Sequence, residues 1–446
     1  MRIYYKLALK GAPMTSQQLD QLVYQAVFAK NPQKKAEARY KIYQEALARD
    51  IVPASIHDFY MARGQEKIPL NLTVPAINVR GMAYNTARAI FAAAKKHHVR
   101  AVIFEIARSE IGYTDQSPAE YTTVISAAAL REDWSGPLFI QGDHFQAKAA
   151  DPGQPKPGEI KAIKDLIKKA IEAGFFNIDI DMSTLVDLGQ ETELDQQEPN
   201  ARYSAEITKW IRSLEPQGVT VSVGGEIGHI GGKNSTIADF TAFIDQYREK
   251  LGSALTGMSK VSVQTGTHHG GVVLPNGELA DISVDFSILS KISKIARDKY
   301  QIAGTVQHGA STLPDEYFAQ FADAEATEVH LATGFQNIIL DHPEFPQDLL
   351  EKMYSWLDEH KQDEKKPDQT EEQFHYKLRK KAFGEFKQEC WDIEQSRQDA
   401  IRQALADRFE FMFKQLNVLD SHDLVNKFVK PVKIEKSQQD FFAARK

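Results

Sequence analysis

Side chains that can bind a metal ion or transfer a proton follow several short apolar runs in this sequence. Five places carry such side chains: Asp143 with His144, Asp179 with Asp181, Glu226 with His229, His268 with His269, and His308. Zinc is bound by imidazole and carboxylate ligands, and a catalytic zinc site keeps a position open for substrate. The pattern predicts a catalytic metal centre in which His144, His269 and His308 come from three separate places. Three unrelated core histidines are the alternative.

The apolar runs predict the elements that position these residues. Eight runs rich in β-branched residues are each followed by a segment with helical periodicity: LNLTVPAINV, RAVIFEI, GPLFIQ, FNIDI, VTVSV, VSVQTG, QIAGTVQ and EVHLATG. Near-continuous apolar runs are typical of buried parallel strands. Eight such units predict an α/β fold, a (β/α)8 TIM barrel, whose active site lies at the carboxyl ends of the strands. A doubly wound open sheet is the alternative, but the first turn, VRGMAYN, lacks its glycine-rich fingerprint.

The segments on either side of the predicted barrel differ from it in pattern. Residues 1–69 have helical periodicity without strand signals and predict an N-terminal helical extension. Residues 70–345 form the catalytic barrel, and residues 346–446 a charged mobile linker and a C-terminal helical arm. The apolar face of that arm consists of Ile401, Leu405, Phe409, Met412 and Leu416. Such a face must pack on the barrel or on another subunit.

Composition excludes several classes of function. The 54 Lys and Arg residues against 61 Asp and Glu residues give a net charge of −7, which provides no broad attraction for nucleic acid or an anionic membrane. One cysteine, Cys390, excludes an intrachain disulfide and a cysteine-based metal site. We find neither a signal peptide nor the roughly 20 apolar residues of a membrane span. We therefore expect a cytoplasmic protein.

The blocks VPAINV, DHFQ, IDIDMS, GGEIGHIGG, GTHHGG and HGAS resemble, in order and spacing, the signature blocks of class II fructose-bisphosphate and tagatose-bisphosphate aldolases. The resemblance covers roughly residues 70–340. It implies that Asp143 is the proton-transferring carboxylate, and it implies zinc as the metal, with cobalt or manganese as alternatives, and an additional monovalent cation. It also implies a homo-oligomer that acts on a sugar phosphate in carbohydrate metabolism such as glycolysis.

The same resemblance implies roles for the remaining polar residues. The metal ligands are His144, His269 and His308, and Glu226 matches an alternate metal position. The implied contacts to substrate or phosphate are Asn78, Asp181, Gly270, Gly271, Gly309, Ser311, His330 and Thr333. The basic cluster Arg379-Lys380-Lys381 could hold a second phosphate if the C-terminal arm folds over a barrel mouth.

Several positions depart from the family pattern. His330 stands where the family has a substrate-contacting asparagine, and Ala332 replaces an acidic or amide residue. Ala107 replaces a phosphate-binding serine, His268 another serine, and Lys233-Asn234 follow GHIGG where acidic residues are usual. These changes predict a divergent member whose substrate differs from fructose 1,6-bisphosphate.

The resemblance implies reversible aldol cleavage of a ketose phosphate or bisphosphate to dihydroxyacetone phosphate and an aldehyde. The predicted strand cores contain no lysine that could form a Schiff base. A metal-dependent sugar or sugar-phosphate epimerase is the first alternative, with His229, His268 or His330 as an extra acid or base. A non-catalytic aldolase-like subunit is the second, but such a protein is expected to lose metal ligands.

Overall fold

The computed structural model describes residues 14–228, 233–266 and 284–442. The strands are β1 (Ile51–Ala54), β2 (Val74–Asn78), β3 (Ile103–Ala107), β4 (Gly136–Gln146), β5 (Ala149–Asp151), β6 (Gln154–Pro155), β7 (Asn177–Asp181), β8 (Ser222–Glu226), β9 (Lys260–Ser262), β10 (Thr305–Gln307) and β11 (Glu328–Leu331). The helices of the first half are α1 (Ser16–Phe28), α2 (Pro32–Ala48), α3 (His57–Gly64), α4 (Ala83–Lys96), α5 (Arg108–Tyr113), α6 (Pro118–Arg131), α7 (Glu159–Ala173) and α8 (Glu193–Leu214). Those of the second half are α9 (Ile237–Leu251), α10 (Phe286–Tyr300), α11 (Tyr317–Asp323), α12 (Thr333–Leu340), α13 (Gln347–His360), α14 (Glu371–Leu378), α15 (Ala382–Glu385), α16 (Lys387–Trp391), α17 (Gln395–Gln415) and α18 (His422–Phe428).

Eight parallel strands close into a barrel in the order β4-β3-β2-β11-β10-β9-β8-β7, and β7 pairs back with β4. The predicted (β/α)8 barrel with helical extensions is confirmed. Each of the eight predicted apolar runs overlaps one barrel strand. Because all eight strands are parallel, their carboxyl ends open on the same face of the barrel. In the part of the chain that the structure describes, no helix is long and apolar enough to cross a membrane.

The N-terminal extension is mainly helical, with α1, α2 and α3, and it also contains one short strand that the sequence did not predict. β1 pairs in parallel with residues 136–139 of β4, where β7 does not yet pair. The Asn177 side chain donates to the Ala54 carbonyl at 3.2 Å and accepts from the Ile56 amide at 2.9 Å. A four-residue strand is too short for a periodic signal. It forms because β4 offers a free edge there.

Glycine allows β1 to approach the barrel helices closely. Helix α7 buries Ile163, Ile167 and Ala170 against the core and ends at Gly174, whose φ is +106°. A Cβ atom on Gly174 would lie 3.0 Å from Pro53 of β1. The position therefore needs glycine both for its left-handed backbone and for the space.

The apolar face of the C-terminal arm packs on the barrel of its own chain. Ile401, Leu405 and Phe409 are fully buried in α17, which lies against α4 and α12. The charged stretch predicted as a mobile linker is largely helical: it includes the end of α13, a 3-10 turn at Gln362–Glu364 and the start of α14. Charge patterning missed the small apolar cluster of Leu357, Phe374 and Leu378 that packs these helices together.

Candidate active site

A cavity of about 480 Å³ opens at the carboxyl ends of the barrel strands. The predicted site residues in its lining are Asn78, Asp143, His144, Asp181, His308, Gly309, Ser311, His330 and Thr333. Glu226 lies at the end of β8, in contact with two of these residues. The predicted residues outside the described ranges are His229, His268, His269, Gly270 and Gly271. The structure therefore brings together the described members of the predicted site.

An irregularity in β4 presents Asp143 and His144 to the site. Consecutive residues of a regular strand point to opposite faces, so only one of them would face the cavity. The pairing of β4 with β7 shifts register between Gly142 and Phe145, and His144 has a left-handed φ of +41°. Such a bulge re-aims side chains, and backbone strain of this kind clusters at functional sites. A Cβ atom on Gly142 would lie 2.5 Å from the Phe145 ring, so the bulge also needs a glycine.

His144 and His308 form the centre of the site. Their ring centroids are 4.2 Å apart. Glu226 Oε2 lies 3.6 Å from His144 Nδ1 and 3.4 Å from His308 Nε2, and Asp143 Oδ1 lies 3.9 Å from His144 Nε2. Two imidazoles with a carboxylate are a donor set that suits a divalent cation such as zinc. These side chains could therefore hold a metal ion.

Charge in this region favours a cation. Burial lowers the pKa of His144, but the neighbouring carboxylates of Asp143, Asp181 and Glu226 outweigh burial and raise it well above its ordinary value. Burial and repulsion by Asp181 raise the pKa of Glu226 well above its ordinary value. Buried carboxylates are stable only when positive charge compensates them. A proton or a metal ion between them meets this need.

Asp181 contacts the protein through both carboxylate oxygens. Its Oδ2 lies 2.8 Å from His144 Nδ1 and accepts from Gln146 at 2.6 Å, while its Oδ1 accepts from the Ser183 hydroxyl at 2.7 Å. Burial alone would raise the pKa of Asp181, but the hydrogen bond from His144 and those from Ser183 and Gln146 lower it. A carboxylate that is hydrogen-bonded to one ring nitrogen of a histidine fixes the orientation of the imidazole ring. This arrangement favours an orienting role for Asp181 over the direct substrate contact that we expected.

Arg80, which no sequence motif pointed to, lies beside the predicted phosphate contact Thr333. Arg80 follows β2 and donates to the Thr333 hydroxyl at 3.3 Å, and Arg80 Nη2 lies 2.6 Å from Glu110 Oε1. Glu110 in turn accepts hydrogen bonds from the Asn78 side chain and the Ala107 amide. The sequence did contain a signal for Arg80: it is a basic residue at the end of a predicted strand, two positions after Asn78.

One member of the basic cluster reaches the cavity. Lys380 lines it from the C-terminal arm, whereas Arg379 pairs with Asp341 and Lys381 with Glu364. Burial, with repulsion from Arg80, lowers the pKa of Lys380 to about 8. Phe383 of the C-terminal arm packs closely against Gly81, which follows β2. A Cβ atom on Gly81 would lie 2.4 Å from the Phe383 ring. The C-terminal arm thus adds a positive charge to the cavity mouth.

A buried lysine corrects the statement that the strand cores contain none. Lys260 is the first residue of β9, one position before the predicted strand, and is 1% exposed. Its Nζ lies 3.0 Å from Asp179 Oδ2 and pairs with Glu328. Burial lowers the pKa of Lys260, but Asp179 and Glu328 outweigh burial and raise it. A charged ammonium is a poor nucleophile, and Lys260 lies outside the described lining of the cavity, so it does not suit Schiff-base chemistry.

The family model described as fructose-bisphosphate aldolase class-II matches residues 69–391. No curated protein sequence matches the chain. Among solved structures, the fructuronate-tagaturonate epimerase UxaE from Cohnella laeviribosi has a TM-score of 0.59 and 13% identity, with 86% of each chain covered. The fructose-bisphosphate aldolase Fba from Campylobacter jejuni has a TM-score of 0.50 and 16% identity, with 84% of this chain and 99% of that chain covered. A probable tagatose 6 phosphate kinase from Sinorhizobium meliloti has a TM-score of 0.51 and 14% identity, over 80% of this chain and 93% of that chain. At these identities the structures share a fold, which by itself does not specify a reaction.

Proposed function

The chain belongs to the class II fructose-bisphosphate aldolase family, and on that premise we propose that it is a divalent-metal-dependent lyase that reversibly cleaves a phosphorylated ketose. The products are dihydroxyacetone phosphate and an aldehyde. The observation that carries this proposal is the pair of His144 and His308 rings, 4.2 Å apart in the cavity with the Asp143 carboxylate beside them.

We assign the metal to His144 and His308, with His269 as the third imidazole by its motif and Glu226 as an alternate ligand. The donor set of the described residues fits zinc, cobalt or manganese. A divalent cation held there supplies a Lewis acid that withdraws electrons from the substrate carbonyl. Asp181 holds the His144 ring in a fixed orientation, which a precise ligand set needs.

Asp143 is the proposed proton-transfer group. It is 5% exposed, lines the cavity and lies beside His144. During cleavage the C4 hydroxyl gives its proton to the Asp143 carboxylate, the C4 oxygen forms the aldehyde, and the electron pair of the C3–C4 bond passes to the ketone fragment as an enediolate. The enediolate then takes up a proton from solvent at C3 to give dihydroxyacetone phosphate, and Asp143 releases its proton to solvent. In the synthetic direction Asp143 returns a proton to the C4 oxygen. Asn78 donates to Glu110 and lines the cavity, and we propose that it contacts the substrate hydroxyls.

We propose that two different parts of the cavity lining bind anionic groups of the substrate. One phosphate is proposed to lie at Gly309, Ser311 and Thr333, where the start of α12 adds a favourable dipole. Lys380 is proposed to contact a second anionic group. We therefore propose that the catalytic unit extends past residue 345 into the arm.

A substrate series tests this function. We expect kcat/KM to be highest for a ketose bisphosphate, lower for its monophosphate and lowest for the free ketose, because unpaired buried donors are costly. Lys380→Met should lower kcat/KM for the bisphosphate by about 10- to 100-fold, the value of one charged hydrogen bond of about 1.5–3 kcal/mol. Lys381→Met, whose side chain pairs with Glu364, is the matched control and should have little effect. Equal turnover of the free sugar would contradict a phosphate-binding site.

The GTHHGG motif gives a second test. His269→Ala should lose the metal, whereas His268→Ala should keep it and change turnover or selectivity, because the motif places only the second histidine at the ligand position. Metal content of the purified variants decides between them. The reverse result would show that the motif is aligned one residue out of register.

An epimerase is the second candidate, and His330 is the observation that favours it. Its Nδ1 lies 3.2 Å from Asp143 Oδ1, so two groups able to exchange protons are adjacent. An epimerase needs one group that takes a proton from the substrate and one that returns a proton to it. Product analysis distinguishes the two functions, because a lyase releases shorter fragments and an epimerase an isomer of unchanged length. A non-catalytic subunit is disfavoured because the His144 and His308 pair is retained.

A further inference from the structure

His330 lines the cavity of the candidate active site and contacts a layer of buried carboxylates. It is 4% exposed. Four carboxylates lie within 3.5 Å of its ring nitrogens: Glu105 at 2.8 Å and Asp143 at 3.2 Å from Nδ1, and Glu328 at 2.6 Å and Asp179 at 3.5 Å from Nε2. Its ring centroid is 4.1 Å from that of His308. One imidazole thus contacts the proposed proton-transfer group and a proposed metal ligand.

The carboxylates below His330 are themselves fixed by hydrogen bonds. Lys260 Nζ pairs with Glu328 and donates to Gln141 Oε1 at 2.9 Å. Gln141 Nε2 donates to Glu328 at 2.9 Å and to Glu105 at 3.2 Å, and the Tyr60 hydroxyl also donates to Glu328. Each of these hydrogen bonds restricts the side chains that it joins. Through Glu105 and Glu328, His330 is therefore linked to Gln141 of β4 and Lys260 of β9.

Asp143 needs such an anchor. It lies in the bulge of β4, where the backbone departs from regular strand pairing. A general acid or base must keep its reacting oxygen within hydrogen-bond reach of the substrate. The imidazole of His330 can contact Asp143 and Glu328 through two nitrogens on opposite sides of one flat ring. The shorter amide of asparagine cannot reach both, and its oxygen would face a carboxylate.

We propose that His330 is a positioning residue: it transmits the rigidity of the Lys260–Glu328 pair to Asp143 and holds that carboxylate in its reactive orientation. This inference rests on the proposed function, in which Asp143 transfers the proton. His330 acts through Asp143, so it is neither an independent acid or base nor a substrate contact.

A double-mutant cycle tests this role. The substrate is the ketose phosphate with the highest kcat/KM in the series described above. His330→Asn should lower kcat by about 10- to 100-fold, because a small misplacement of a reacting group can cost about 10²-fold. KM and metal content should stay within about twofold. In the Asp143→Ala background, His330→Asn should cause no further loss, because a residue that acts through another is not additive with it. The visible spectrum of the cobalt-substituted His330→Asn enzyme should match that of the parent.

Controls separate the possible failures. His97→Asn, at the end of α4 beside Glu410, removes a histidine remote from the cavity and should leave kcat unchanged. His330→Gln serves as a second variant if His330→Asn does not fold. Losses that multiply with those of Asp143→Ala, or a raised KM with unchanged kcat, would overturn the positioning role while leaving the proposed function intact. A nearly active Asp143→Ala enzyme would instead refute the role assigned to Asp143 itself.

Discussion

Removing the metal is expected to abolish activity, and adding zinc or cobalt should restore it. His144, His308 and Glu226 place two imidazoles and a carboxylate together, and no other described group in the cavity offers an equivalent electrophile for the substrate carbonyl. Lewis-acid stabilisation is worth several kcal/mol, so its loss should slow cleavage by roughly 10³-fold or more. Dialysis against a chelator, followed by metal analysis and rate measurement, gives the result. We expect one catalytic ion per chain.

The control for this experiment is the fold of the metal-free protein. Circular dichroism before and after chelation should agree, because the buried core does not depend on the ion. Full activity without metal would contradict the proposal. So would borohydride trapping of a lysine adduct with substrate, for which Lys260 would be the residue to examine. Its charged state, maintained by Asp179 and Glu328, leads us to expect no adduct.

Asp143→Ala should retain the metal while kcat falls by about 10²–10⁴-fold, the usual contribution of a positioned general acid or base. Binding of the ketose phosphate should change far less, because Asp143 is proposed to act on the C4 hydroxyl during bond cleavage. Single-turnover rates and metal content measured on the same preparation separate these effects. Asp245→Ala, an exposed aspartate on α9, is the matched control and should match the parent enzyme.

A nearly active Asp143→Ala enzyme would move proton transfer to another carboxylate. Asp181 and Glu226 are the next candidates by position. Asp181 is the weaker of the two, because both of its oxygens already accept hydrogen bonds within the protein. Metal content again distinguishes them, since loss of Glu226 is expected to weaken metal binding and loss of Asp143 is not.

The apolar runs predicted the barrel and the face that carries the site. Buried parallel strands need nearly continuous apolar sequence, and their carboxyl ends must share one face, so both features can be inferred without coordinates. Asp143, His144 and His308 line one cavity at the strand ends, and their roles stay predictions. The roles of His229, His268 and His269 stay predictions, because these residues lie outside the described ranges.

Local pattern alone determined the order of the eight barrel strands, the family resemblance and the strand ends that carry polar side chains. Only the tertiary structure decided which side chains meet: Arg80 with Thr333, Lys380 with the cavity, and Lys260 with Glu328. The charged interior residues were visible in the sequence as single charges inside or beside apolar runs. Their partners come from distant strands, however, and periodicity reports which residues are buried without reporting which of them touch. The short strand β1 and the bulge at His144 likewise depend on pairing with another strand, which no local pattern encodes.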